Sequence, residues 1–99
     1  MSGFRHVVLI KWAEGTTTGQ QDELAARLGE LPAVIPEIRG YSLGADVGLS
    51  PAAHDFAIIA DFADQDAYLV YRDHPSHREV VDRYLTPITA ERTVVQYEP

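Results

Sequence analysis

The stretch Phe4-Arg5-His6-Val7-Val8-Leu9-Ile10-Lys11-Trp12 decides the fold. Its residues alternate as those of a strand do. Phe4, His6, Val8, Ile10 and Trp12 point one way, and Arg5, Val7, Leu9 and Lys11 point the other. Both sets are apolar near the centre, so this strand calls for cover on both faces. Asp55 to Phe62 repeats the pattern: Phe56, Ile58, Ala60 and Phe62 alternate with Ala57, Ile59 and Asp61.

Two helical regions lie between and after these strands. Thr18 followed by Gln21 has the spacing of a capping box. Leu24, Leu28 and Leu31 then form an inward stripe at i, i+4 and i+7, and Pro32 stops the helix. Val34, Ile35 and Pro36 read as a short apolar turn. Ile38 to Leu43 is a weaker strand, and Gly44 to Ala53 a loop punctuated by Gly48, Ser50 and Pro51. Asp64 suits the N-cap of a helix running through Arg72, with Ala67, Tyr68 and Tyr71 inward. A second helix from Pro75 to about Leu85 buries Val80, Val81, Tyr84 and Leu85, and Thr86-Pro87 ends it. Arg92 to Tyr97 is the last strand.

The resulting order is β-α-β-β-α-β, the split βαβ arrangement of ferredoxin-like α+β folds with one antiparallel four-stranded sheet. Helices cover one face only. Val7, Leu9, Ala57 and Ile59 are left on the other face, and an apolar patch of that size marks an association surface. The expectation is a homodimer in which two sheets pack face to face, with C2 symmetry.

Composition narrows the function. The 99 residues fit one domain, spanning 1–99. No cysteine is present, which excludes disulfides, thiolate chemistry and cysteine zinc sites. A formal net charge of −7 argues against nucleic acid and against an anionic membrane surface as partners. No run approaches the roughly 20 apolar residues of a membrane span, and the opening residues carry Arg5, His6 and Lys11 within their apolar run, unlike a secretory signal. A cytoplasmic protein is expected. Asp61, Asp64 and Asp66 lack the glycine spacing of a calcium loop, and Thr16-Thr17-Thr18-Gly19 lacks the Gly-Lys of a phosphate loop.

Chemistry concentrates in Tyr71-Arg72-Asp73-His74-Pro75-Ser76-His77. Pro75 suits the first position of a helix, and the residue before a proline is pushed out of helical geometry. His74 therefore ends one helix and caps the next. His77 falls in the first turn, where the helix dipole disfavours imidazolium and lowers the pKa. A neutral imidazole near physiological pH can serve as a general base. The kink can bring the Tyr71 hydroxyl close to it. His6 faces the same space between sheet and helices. His54 lies in a solvated loop, and no carboxylate converges with His6, His74 and His77 to make a metal site.

Taken together, the chain resembles the stress-responsive dimeric α/β barrel (Dabb) family from about Phe4 to Tyr97. The resemblance rests on His6-Val7-Val8-Leu9-Ile10-Lys11-Trp12, the Leu31-Pro32…Ile35-Pro36 turn, Gly40, Asp55-Phe56…Phe62 and Tyr71…His74-Pro75-Ser76-His77. It implies a dimeric ferredoxin-like barrel. Some members resemble plant polyketide cyclases, which close a poly-β-keto chain by aldol chemistry without metal or cofactor. The positions matching that chemistry are His77 and Tyr71, with His6 as a pocket histidine; the apolar Phe56 stands where that subgroup can be polar. The enzymatic expectation is therefore an apolar pocket lined by His6, Val8, Leu28, Phe56, Ile58, Tyr71 and His77, with His74 at its edge. Its ligand would be a small hydrophobic or aromatic carbonyl compound, handled by cofactor-free aldol cyclisation or proton transfer. Such a pocket needs roughly 300 Å³ or more beside His77. The other expectation is a non-catalytic stress-response or assembly protein in which the turn only fixes a helix kink.

Overall fold

Alternation along the first strand carries through to the folded chain. In the computed structural model, which describes residues 3–99, β1 (Phe4–Trp12) buries His6, Val8 and Ile10 on one face and leaves Val7 and Leu9 half-buried on the other. The expected domain boundary reaches back to Met1 and Ser2, which lie outside the described residues.

A loop leads from β1 to α1 (Thr18–Gly29), whose capping box sits one residue earlier than expected. The Thr17 hydroxyl accepts from the Gln20 amide and the Gln20 side chain accepts from the Thr17 amide. Leu24, Leu28 and Leu31 are buried as the stripe requires. Pro32 does not simply stop this helix. It lies in the first turn of a separate four-residue helix, α2 (Leu31–Val34), where a missing N–H costs nothing. Ile35, after that turn, is fully buried.

The second strand, β2, covers Gly40–Ala45, two residues later than read, and β3 covers Phe56–Phe62. Next come α3 (Gln65–Asp73), capped by the Asp64 carboxylate accepting from the Ala67 amide, and α4 (Pro75–Val80). The expected single helix to Leu85 is divided: α4 gives way to a π-helical turn over Val81–Leu85 and a 3-10 turn over Thr86–Ile88. The Thr86 amide reaches back to the Val81 carbonyl, and Pro87 has no amide to continue any ladder. The last strand, β4 (Thr89–Tyr97), begins three residues before the expected Arg92.

All four strands are antiparallel in the order β2-β3-β1-β4, so the first strand made is central. Helix α3 lies over β1 and β3, and α1 over β2. Val8, Ile10, Phe56, Ile58, Ala60 and Phe62 on the helix side join Leu24, Leu28, Tyr71, Val81 and Leu85 in one core. Within one chain the sheet stays open. Its far face carries Val7, Leu9, Ala57 and Ile59, and Val95 beside them is 53% exposed. At one end of that face Arg5 forms a two-pronged pair with Asp61, at 2.7 and 3.0 Å, and lies over the Tyr97 ring. Along β4, residues 90–97 are exposed throughout, on the helix side as well as the far side. No helix among the described residues is long and apolar enough to cross a membrane.

Candidate functional site

His74 takes the double role its position implies. It is the C-cap of α3 and the N-cap of α4, in extended geometry, and its Nδ1 accepts from the Ser76 amide at 3.1 Å. With no spacer between the helices, the chain turns sharply enough to lay the His77 ring on the Tyr71 ring, centroids 4.1 Å apart and tilted by 35°.

His77 is buried, and its Nδ1 is 3.0 Å from the Arg72 carbonyl oxygen. A carbonyl only accepts, so Nδ1 carries the proton and donates it. In the neutral ring Nε2 then keeps its lone pair. The pKa is lowered, first by burial and then by the charges of Arg78, Arg92 and His74, while the bond to Arg72 works in the opposite direction. Burial, rather than the dipole of the six-residue α4, leads.

The Tyr71 hydroxyl does not turn to His77. It meets the Tyr41 hydroxyl of β2 at 2.9 Å. Burial, reinforced by Tyr41, pushes the Tyr71 pKa far up, and burial also raises Tyr41 to about 12. Both stay protonated in neutral solution. Whichever donates to the other, one O–H of the pair remains unspent.

His6 sits on the other side of Tyr71, ring centroids 6.4 Å apart, and packs closer still on Tyr68 at 4.9 Å. Its Nδ1 accepts from the Gln96 side-chain amide Nε2 at 3.0 Å, and that Gln96 Nε2 also donates to the Tyr68 hydroxyl at 3.0 Å. Nε2 therefore carries the His6 proton. Burial lowers the His6 pKa to about 4, helped by the charges of Arg92 and His77. Two neutral imidazoles thus flank Tyr71, His77 with a free lone pair and His6 with an N–H. No buried side-chain nitrogen or oxygen among the described residues lacks a partner, so the two Nε2 atoms, unpartnered there, touch accessible space.

The remaining expected pocket residues, Val8, Leu28, Phe56 and Ile58, are packed in the core. A cavity of about 420 Å³ lies one layer out from His6 and His77, lined by Phe4, Gln65, Tyr68, Leu69, Arg72 and Gln96. Another, of about 510 Å³, is apolar and combines Phe56 with Leu9, Val47 and His54 at the loop end of the sheet. Neither is lined by His6, Tyr71 or His77. His54, expected to be solvated, is half-buried and lies 3.5 Å from the Thr93 hydroxyl. No group of three His, Cys, Asp or Glu among the described residues is arranged to hold a metal ion.

Tyr41, Tyr68, Arg92 and Gln96 escaped the reading of the sequence. Tyr68, one turn before Tyr71, reads only as an inward packing residue; the other three come from strands distant in the chain, and only the register shows that Gln96 stands opposite His6 and Arg92 opposite Ile10.

Known proteins agree with this architecture. The chain matches the stress responsive A/B barrel domain over residues 4–99. A stress-response A/B barrel domain-containing protein of Arabidopsis thaliana is 27% identical, the match covering 99% of this chain and 97% of that protein. A dimeric ferredoxin-like protein from Thermobifida fusca is 38% identical, with a TM-score of 0.91 over 99% of this chain and 92% of that one. A hydroxynitrile lyase from Passiflora edulis shares the fold at 22% identity, with a TM-score of 0.87 over 98% of this chain and 93% of that one. On its sequence and its fold, then, the chain belongs to the stress-responsive α/β barrel family.

Proposed function

We propose that the protein binds a small aromatic or otherwise apolar carbonyl compound beside α3 and α4 and moves a proton on it without a cofactor. One observation carries this reading: a buried, neutral His77, its Nδ1–H spent on a backbone carbonyl, lies against a tyrosine pair with one O–H to spare. In the step envisaged, His77 Nε2 takes a proton from the carbon next to a carbonyl. The C–H electron pair becomes the enolate double bond, and the oxygen that gains charge receives the tyrosine O–H. The enolate then attacks a second carbonyl, as in the aldol closure of a polyketide-like chain, or is reprotonated. The cavity lined by Tyr68, Arg72 and Gln96 offers an approach from outside. The lyase named among the proteins of this fold is consistent with carbon–carbon bond chemistry on such a scaffold.

The test is deuterium uptake from D2O at the α-carbon of aryl methyl ketones, followed by NMR, with wild type and His77→Ala. Loss of His77 should cost about 10²–10⁴ in rate if it is the acid/base. Equal rates in a folded variant would refute the role. The dense packing around Tyr71 favours a second reading, in which the His74–His77 turn is structural and the protein works as an assembly. That reading expects no exchange above background from either protein.

The dimeric Thermobifida fusca relative and the uncovered face of Val7, Leu9, Ala57, Ile59 and Val95 support a homodimer of this chain formed through its sheet.

A further inference from the structure

On β4 the residues opposite His6, Val8 and Ile10 are Gln96, Val94 and Arg92. Residues directly opposite in an antiparallel pair share a face. Arg92, Val94 and Gln96 therefore lie on the helix side of the sheet, in line with the His6 imidazole, and all three are exposed. This row lies along the open edge of the sheet beside His6.

Arg92 stands out in that row. Arg5, Arg27, Arg72 and Arg78 are engaged in ion pairs; Arg92, like Arg39 and Arg83, has none among the described residues, and of those three it is the one on the sheet face that carries His6. Its neighbour Glu91 is no partner: it pairs in register with Lys11 and so lies on the far face. The positive charge of Arg92 nonetheless reaches the centre of the site. It contributes to lowering the pKa of both His6 and His77 and opposes the rise at Tyr71. Both imidazoles are neutral in ordinary buffer, so a fixed positive charge felt by all three groups comes from this guanidinium, two same-face register pairs along the sheet from His6.

A cation so placed disfavours any other positive charge nearby and has nothing of the chain's own to neutralise it. The whole protein is strongly negative, at −7, and repels anions at long range. A negatively charged ligand would need a local cation to stay, and a guanidinium offers two parallel N–H donors that match a carboxylate.

We propose that Arg92 is a specificity-determining residue that grips a carboxylate, and that the ligand of this site is an oxo acid, a carbonyl compound with a carboxylate, rather than a neutral ketone or aldehyde. The proposal rests on the reading of His77 and Tyr71 as the site. With the carboxylate on Arg92 at the exposed flank, the carbonyl end of the ligand points inward along Val94 towards the imidazoles.

The experiment uses two probes that differ only in charge: benzoylformate and its methyl ester. Each is titrated into protein labelled with 15N in the histidine rings, and the His6 and His77 signals are followed. The acid should shift the His77 and His6 ring signals and bind about tenfold or more tightly than the ester. Arg92→Gln should cost the acid about tenfold and leave the ester within twofold. Arg92→Lys, which keeps the charge but not the fork, should recover part of the loss, and added salt should weaken the acid alone. Equal binding of acid and ester at the His77 signal, or an acid affinity indifferent to Arg92→Gln, overturns the role of Arg92 while leaving the site intact. Ring signals of His6 and His77 that ignore both probes overturn the site and this inference together.

Discussion

Lowering the pH should unfold this protein through His6 in a way that one substitution can isolate. His6 is buried and neutral, with a pKa of about 4 against 6.5 for a free imidazole. Above pH 6.5 it is neutral both folded and unfolded and makes no difference to stability. Between pH 6.5 and 4 the unfolded chain takes up the proton and the folded one does not, so stability falls. Below about pH 4 both are protonated and the loss levels off at about 3 kcal/mol, from 2.5 pKa units at 1.36 kcal/mol each. At pH 4.5 the same linkage gives a loss of about 2.5 kcal/mol, and at pH 7 only about 0.2 kcal/mol. His6→Gln removes the titrating ring and keeps an oxygen for the Gln96 amide to donate to. Urea unfolding of both proteins, at one fixed protein concentration, reads the difference. Wild type should lose about 2 kcal/mol more than the variant between pH 7 and pH 4.5. At the slopes usual for a chain of this size, that is a gap of roughly 1–2 M in midpoint shift. Carboxylates and His77 titrate in both proteins and largely cancel. Parallel losses in the two would refute the claim that burial holds His6 neutral.

Two further outcomes are expected. Tyr41→Phe strips the buried Tyr71 hydroxyl of its only protein partner among the described residues, so it should lower the unfolding free energy by about 1–3 kcal/mol in denaturant titration. In the sheet-to-sheet homodimer proposed above, Ile59→Asp puts a charge in the middle of the far face twice over; sedimentation should show the wild type as a dimer and the variant as a folded monomer, and equal sedimentation of the two would refute that interface.

Much of the fold could be read before any coordinates because its strands advertise themselves. The alternation in β1 and β3 fixed which side chains are buried, and those assignments hold residue by residue. The misses have local causes. Thr17–Gln20 and Thr18–Gln21 both satisfy the capping-box spacing, and nothing in the chain chooses between them. β2 runs two residues later at each end than Ile38–Leu43 because Ile38 suits a strand start and Gly44 reads as the opening of a loop. A strand paired along β3 needs backbone more than side chains there, and at Gly40 a Cβ would come within 3.3 Å of the Asp61 carboxylate. The break after Val80 was invisible, since Val80, Val81 and Leu85 suit a continuous helix as well as an α-to-π transition. At the site, the nearness of Tyr71 to His77 is legible because it is local and governed by Pro75, but it is the rings that meet, and the hydroxyl expected to approach His77 turns to Tyr41 instead. The tautomers were not. They depend on the Arg72 carbonyl and on Gln96, whose position opposite His6 follows from pairing across almost the whole chain.

The strand order has a consequence for how the molecule is born. Of the four strands β1 is made first, yet it occupies the middle of the sheet, and one of its edges is reserved for β4, the last of the four. While synthesis proceeds, β1 can pair with β3 but must keep its other edge, with Val7 and Leu9 along it, open to any passing strand. Nor can His6 acquire its bond from Gln96 until β4 has been made. The sheet and the histidine site are therefore completed only once β4 has been made, and a chain stalled before β4 is a protein with an unfinished site and a sticky edge.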